Sequence, residues 1–328
     1  MSEKYSIQPV TDSEKWDNFV EKSSQGTNFS KYGYLNSCGR KFENQFVLKG
    51  NEIKAGYSVI LSDDGREVEL DDLVIYNGIF FVPDDPNQKK TSIYTDQFRI
   101  TEFIIQELTK KYKKLEMSLF PTFKDIRPFL WYNYHSENTK EKFNVSIRYT
   151  SLINIEDLQQ DAFEENIASF KNLDVVRQRN IRKARKENAF LKEENKTDLF
   201  IEYYKKNLQF QNINPSDEKL TRMKFLIEEI LKNKNARSFV AYNGRGEVGT
   251  IHIFNFDSKR AYYLFGASNP EITEQYCGTI AFWDSFKILA RSGIKEIDME
   301  GINSPQRGWF KLSFGGDIKP YYEVSYGL

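Results

Sequence analysis

Glu296-Ile297-Asp298-Met299-Glu300-Gly301-Ile302-Asn303, followed after a short polar interval by Trp309-Phe310-Lys311-Leu312-Ser313-Phe314-Gly315-Gly316, is the most informative stretch of this chain. The first part reads as a short buried strand that ends in acidic residues and a glycine. An irregular loop follows, then a helical turn that carries one lysine between aromatics and is closed by Gly-Gly. A lysine beside Phe310, just past the carboxyl end of a strand, is placed to meet an anionic group or a developing negative charge. Asp298 or Glu300, at the strand end, has the chemistry to take or orient a proton. The plainer alternatives are that Asp298 only caps the loop and that Lys311 only solvates a helix face.

Outward from this stretch the chain reads as two halves with one plan. In the first, a helix over 13–22 and a short second helix precede strands at 46–49 and 53–60, joined by a turn at Gly50-Asn51. Strands at 74–76 and 78–82, a long amphipathic helix over 94–111 and a strand at 115–119 complete it. The second half runs through a strand at 149–155, a helix over 161–173 and a basic helix over 175–188. Amphipathic helices over 197–211 and 217–232 and a hairpin of 237–242 with 247–256 follow. A strand at 260–266, a helix over 279–291 and a strand at 294–299 end it. The expected fold is α/β, with mixed sheets in two tandem domains, residues 1–145 and 146–328, divided in the polar, turn-rich region around His135–Glu141.

The composition narrows the function. The 328 residues hold 47 Lys and Arg against 47 Asp and Glu, so no global field draws the chain onto DNA, and any polyanion site must be local. Aromatics make up 15% of the chain, enough to fill cores and still line a cleft that stacks sugars or bases. Two cysteines, Cys38 and Cys277, and two histidines argue against a zinc site and a disulfide framework, so no metal is expected and a cytoplasmic location is. Cys38 has no histidine near it in sequence, and His252 reads as a satisfied sheet histidine rather than a base. No apolar run approaches a transmembrane span, which leaves contact with a membrane surface as peripheral at most. Arg179, Arg182 and Lys183 lie in the basic helix, a docking surface for phosphates or else a solvated face balanced by the glutamates downstream.

The run Ile297-Asp298-x-x-Gly301 followed by Phe310-Lys311-x-x-Phe314-Gly315-Gly316 resembles the signature of the Fem-type aminoacyltransferases and their FemAB-like relatives, whose domains have the GNAT fold. Arg179-Asn180-Ile181-Arg182-Lys183-Ala184, ending at Asn188 where glycine is usual, is similar to a helix of that family. So is Asp125-x-Arg127-Pro128-Phe129-x-Trp131 ahead of Tyr149-Thr150. The resemblance implies that Lys311, beside Phe310, neutralises the carbonyl oxygen or the leaving ribose. It further implies that Arg127 and Trp131 line an interdomain cleft, with core packing and an Asp125–Arg127 pair as the alternative. Arg40 or Lys41 would grip substrate phosphates. Gln275-x-x-Gly278 matches half of the GNAT motif that holds the pyrophosphate of coenzyme A, while Ile280 replaces its last small residue and would hinder backbone approach. The implied donor is aminoacyl-tRNA or acyl-CoA, with no tightly bound cofactor. The implied acceptor is an amine on a nucleotide- or lipid-linked peptide or amino sugar used in the cell envelope. An acyl-CoA-dependent N-acetyltransferase of small amines and a non-enzymatic RNA-binding protein are the competing readings.

Overall fold

A computed structural model describes residues 5–160 and 162–328. The chain divides into two compact units, one formed by the residues up to Arg148 together with Pro320–Leu328, the other by Tyr149–Lys319. The expected division at 145/146 left the last residues with the second domain; they pack with the first.

In the first unit β1 (Tyr5–Pro9) lies antiparallel on β2 (Phe42–Lys49), and β2 on β3 (Glu52–Leu61). β3 in turn carries β4 (Val68–Glu69) and β5 (Gly78–Phe81). The β2–β3 hairpin turns at Gly50, whose φ of 63° is the left-handed conformation a tight hairpin needs. Helix α1 (Ser13–Lys22) starts where the Asp12 carboxylate accepts from Lys15 N at 3.0 Å, and it buries Trp16 and Val20 against Phe46 and Phe80. After α2 (Tyr32–Ser37), the long α3 (Lys90–Lys111) turns Ile100, Ile104, Ile105 and Leu108 inward. β6 (Leu115–Leu119) pairs antiparallel with residues 322–326, and α4 (Arg127–Trp131) follows it in the chain. Residues 74–76 are not a strand. Val74 makes an isolated bridge to Asp71, whose carboxylate accepts from Leu73 N at 2.9 Å, so a side-chain turn displaces the ladder.

The second unit is entered along β7 (Asn144–Asn154), followed by α5 (Ala168–Lys171), α6 (Val175–Lys186), β8 (Phe190–Glu193), α7 (Thr197–Gln209) and α8 (Asp217–Lys232). Then come β9 (Ala236–Tyr242), β10 (Val248–Phe256), β11 (Ala261–Ser268), α9 (Tyr276–Arg291), β12 (Glu296–Asp298), α10 (Pro305–Leu312) and β13 (Asp317–Tyr326). Its sheet runs β7-β12-β11-β10-β9-β8. β11 and β12 pair in parallel, because α9 is the crossover between them. Helix α9 buries Ile280, Phe282, Trp283, Phe286 and Leu289 and carries the core of the unit. The helix expected over 161–173 shrinks to α5 and two single turns. Its Asp161 lies outside the described residues, and the Asp157 carboxylate takes Ser169 N at 2.7 Å and Ser169 Oγ at 2.6 Å, which holds the segment as a loop. Asn188 closes α6 with φ 56°, the left-handed conformation that lets Asn stand in for glycine.

Candidate active site

The β12 strand is short because its end is pinned. Asp298 is fully buried, and its Oδ1 accepts from the Thr150 hydroxyl of β7 and from Glu300 N at 2.7 Å. Met299 N and Ile302 N bond to Ser151 O and Tyr149 O at 2.9 and 3.0 Å, so the loop beyond the strand follows β7. Asn303 closes it, with Oδ1 accepting from Tyr149 N at 2.8 Å and Nδ2 donating to Tyr149 O at 3.1 Å. Helix α10 then folds back over this loop. A Cβ on Gly308 would come within 2.5 Å of Ile302 O, so only glycine allows the approach. The fold-back brings Lys311 Nζ to donate to Gly301 O at 3.2 Å.

Within this turn Glu300 has φ 54°, a left-handed conformation unusual for a residue with a side chain and concentrated at functional sites. Its carboxyl is buried, and among the described residues its Oε1 has no hydrogen-bond partner. Burial pushes its pKa well above the usual carboxylate range; Lys311 opposes that and Asp298 adds to it. Burial also pushes Lys311 down, against the pull of Glu300 and Asp298. The two shifts run toward each other, which is the direction that eases proton exchange between an acid and an amine. Lys311 Nζ also stands 5.4 Å from the centre of the Tyr263 ring.

Tyr263 reaches this place through a β-bulge. Phe254 pairs with Tyr263 but the next residue back, Ile253, pairs with Phe265, so Leu264 is extra and the alternation of β11 is broken. Tyr263 and Gly266 consequently share a face, and a Cβ on Gly266 would lie 1.8 Å from the Tyr263 hydroxyl oxygen.

At the other end of the site stands the first turn of α9. Gly278 faces open space, its nearest neighbour to an added Cβ being Thr250 Oγ1 at 4.0 Å. Ile280 is fully buried instead, packed with Ala184, Ala189 and Ala241. The expected hindrance from Ile280 is thus corrected: two residues further along the helix, its side chain points away from the Gly278 face. Gln275 is the N-cap and makes no side-chain capping bond. Arg177 of α6 lies alongside, with Nη1 donating to Thr279 Oγ1 at 2.8 Å and its guanidinium stacked 4.8 Å from the Phe310 ring centre. Its Nε is buried without a partner among the described residues, and burial lowers its pKa. Phe310 itself packs on Phe282 and Phe314.

The structure therefore brings Asp298, Glu300, Phe310 and Lys311 together in one unit, with Gln275 and Gly278 on the helix that Arg177 joins to Phe310. The rest of the basic helix is more ordinary. Arg182 pairs with Glu165 at 3.4 Å, Lys183 lies 5.7 Å from the Tyr276 ring centre, and Arg179 is exposed. Arg185 is spent between Glu164 and Asp284, at 2.5 Å from each. Arg40 is corrected to a structural role: it is ringed by Glu69 at 2.7 Å, Asp71 at 3.8 Å and Asp63 at 4.0 Å, and it bonds Leu61 O, leaving no positive charge to offer a phosphate. Lys41 donates to Asp63 O at 2.6 Å. Arg127 forms a two-pronged pair with Asp125 at 2.8 and 2.6 Å and stacks between Phe98 and Trp131, which is the structural alternative; Trp131 is half exposed. Sequence reasoning did not single out Arg177, Tyr263 or Thr150. Arg177 was one cation in a run, and the bulge that aims Tyr263 leaves no mark in a strand where Tyr262, Tyr263, Leu264 and Phe265 run on without alternation.

Residues 176–309 match the family described as an acetyltransferase (GNAT) domain. No curated protein sequence is a significant match. Among solved structures, FemX is similar over 97% of this chain and 96% of its own, at 11% identity and a TM-score of 0.64. A tandem GNAT protein from the clavulanic acid biosynthesis pathway is similar over 98% of both chains, at 9% identity and TM-score 0.52. L-PGS from Bacillus licheniformis is similar over 98% of this chain and 94% of its own, at 10% identity and TM-score 0.52. The chain thus has the tandem GNAT fold of the Fem-type, FemAB-like proteins; the segment that matches the GNAT family contains Glu300 and ends at residue 309, short of Lys311.

Proposed function

We propose that the chain is a transferase that joins an acyl or aminoacyl group to an amine of a cell-envelope precursor, a nucleotide- or lipid-linked peptide or amino sugar. The observation that carries this is the buried Glu300 carboxyl at the end of β12 with the partly buried Lys311 beside it. An ordinary carboxylate is too weak a base to relieve an ammonium of its proton at neutral pH; burial raises the basicity of Glu300. Glu300 takes the proton of the attacking amine, and its backbone N–H, bonded to Asp298, fixes the carboxyl's position. Lys311, charged once that proton is shared, stabilises the oxyanion of the tetrahedral intermediate and then the departing group. Phe310, stacked by Arg177 and packed on Phe282 and Phe314, anchors the helix that carries Lys311.

The acyl donor is acyl-CoA or aminoacyl-tRNA, neither of them a tightly held cofactor. The open face at Gly278 with Arg177 beside it favours a donor phosphate at the first turn of α9, and it returns acyl-CoA to equal standing with tRNA. A purely RNA-binding role is weakened because Arg182 and Arg185 are already paired with carboxylates. With no described helix long and apolar enough to cross a membrane, nothing opposes work at the cytoplasmic supply of precursors.

The test is release of free thiol from acetyl-CoA, and of free tRNA from charged tRNA, across a panel of amino-sugar nucleotides and precursor peptides. Lys311→Ala and Glu300→Gln should each cut turnover by about 10²–10³ while the far-ultraviolet spectrum stays native. Unchanged turnover in both variants would remove this site from the chemistry.

A further inference from the structure

The helix that carries Lys311 also carries Trp309, and Trp309 is 75% exposed. Across from it, the turn that ends α7 presents Phe210 at 76% and Ile213 at 48% exposure. The two segments are tied by Arg307 Nη2 donating to Gln211 Oε1 at 3.1 Å. These apolar side chains are held out by rigid backbone. Asn212 takes φ 59°, and Gln211 N and Ile213 N both bond to Leu208 O, at 2.9 and 3.0 Å. A globular surface does not ordinarily expose a tryptophan, a phenylalanine and an isoleucine on braced turns without a use for them.

The charge of this rim is as unusual as its apolarity. The chain is 29% charged, yet residues 209–216 and 303–309 contain no Asp or Glu and a single cation, Arg307. One cation does not serve a polyanion, whose binding rests on neutralising several phosphates, so a nucleic acid is the poorer occupant. Aromatic and branched apolar tips, uncharged polar residues between them and no carboxylate are what the headgroup region of a bilayer accepts. Arg307 of α10 and Tyr204 of α7 act electrostatically on Tyr263, and Arg307, about one turn before Lys311 on the same helix, acts on it as well. The rim therefore borders the Glu300–Lys311 site.

We infer that the α7–α8 turn and the start of α10 dock on a phospholipid bilayer, so that the acceptor amine reaches Lys311 from a membrane-borne molecule. This rests on the transferase reading above and selects the lipid-linked class among its acceptors. Trp309, Phe210 and Ile213 enter the headgroup layer, and Arg307 stays at phosphate level. Docking is shallow and reversible.

Flotation of the full chain with vesicles of phosphatidylethanolamine and phosphatidylglycerol tests it, with brominated phospholipid added to quench tryptophans that enter the layer. The native protein should float and lose part of its fluorescence. The triple variant F210S/I213S/W309S should partition at least about tenfold less, since three inserted apolar side chains are removed. Phe163→Ser, which alters another exposed aromatic of the same unit, should float like the native chain. Native protein that ignores the vesicles, or a triple variant that floats equally, overturns the docking. So does Trp309-dependent binding of bulk tRNA without vesicle binding, or a Trp309-dependent dimer in sedimentation that covers the rim. Failure of the transferase reading shows separately, as a chain that floats but never transfers an acyl group from either donor.

Discussion

His252 offers a test in which the size of the effect follows from its surroundings. Its ring lies 4.1 Å from that of Phe282 and 5.0 Å from that of Tyr263, its Nδ1 has no partner among the described residues, and burial pushes its pKa down to about 3. Above its ordinary value of 6.5 the ring is neutral in folded and unfolded chains alike. As pH falls from there toward about 3, only the unfolded chain takes the proton, so stability is lost over that window. At about pH 5 the shortfall is about 1.5 pH units, at about 1.36 kcal/mol each, or roughly 2 kcal/mol. His252→Phe removes the titration and keeps an aromatic ring among aromatics. Urea unfolding followed through Trp283, buried in the same unit, should therefore show a smaller loss between about pH 7.5 and pH 5 in the variant, by roughly 2 kcal/mol. Carboxylates elsewhere titrate equally in both proteins and cancel in that comparison. An identical pH dependence in the two proteins would mean that water reaches the ring, and the buried aromatic layer under Tyr263 would have to be redrawn.

Gly266→Ala should destabilise the fold by about 1–3 kcal/mol in thermal or urea unfolding, because its new methyl meets the Tyr263 hydroxyl, and Tyr263→Phe in the same chain should recover part of the loss. Gly278→Ala should leave stability equal or slightly higher, by up to about 1 kcal/mol, while calorimetry shows weaker binding of acetyl-CoA, since the methyl occupies the open face at the start of α9. Arg40→Ala should lower stability by about 1–3 kcal/mol, because Glu69 and Asp71 lose their partner, and leave donor affinity unchanged. Arg177→Ala should do the reverse, reducing affinity for inorganic pyrophosphate as well as for acetyl-CoA, with Arg177→Lys recovering part of it.

Much of the fold was legible because its long elements carry strong local patterns. The helix at 217–232, the strand at 115–119 and the hairpin of β9 and β10 sit where periodicity and turn residues place them. The failures are instructive in kind. Residues 74–76 and 163–173 are apolar enough for regular structure, but Asp71 and Asp157 bind backbone N–H groups that a ladder or helix would have used. The site followed the same division. Asp298, Glu300, Phe310 and Lys311 come from one continuous run, so their proximity was readable. Arg40 was misread because sequence shows a cation but not the carboxylates that fold against it, whereas the Asp125–Arg127 pair, two residues apart, was legible as the alternative. Ile280 was misjudged because a motif position was read without the helix phase that turns it inward.

The chain's last strand has a consequence for the order in which the protein is made. The residues that pair with β6, 322–326, are joined only after the whole of the second unit. A ribosome must deliver all of Tyr149–Lys319 before the first unit can pair β6 with them. Until then β6 presents open backbone, a surface chaperones and proteases recognise. Any chain that stops short inside the second unit is thus marked as incomplete at another, earlier-made place. Loss of residues 322–326 should be felt as a defect of the first unit, far along the sequence from the cut.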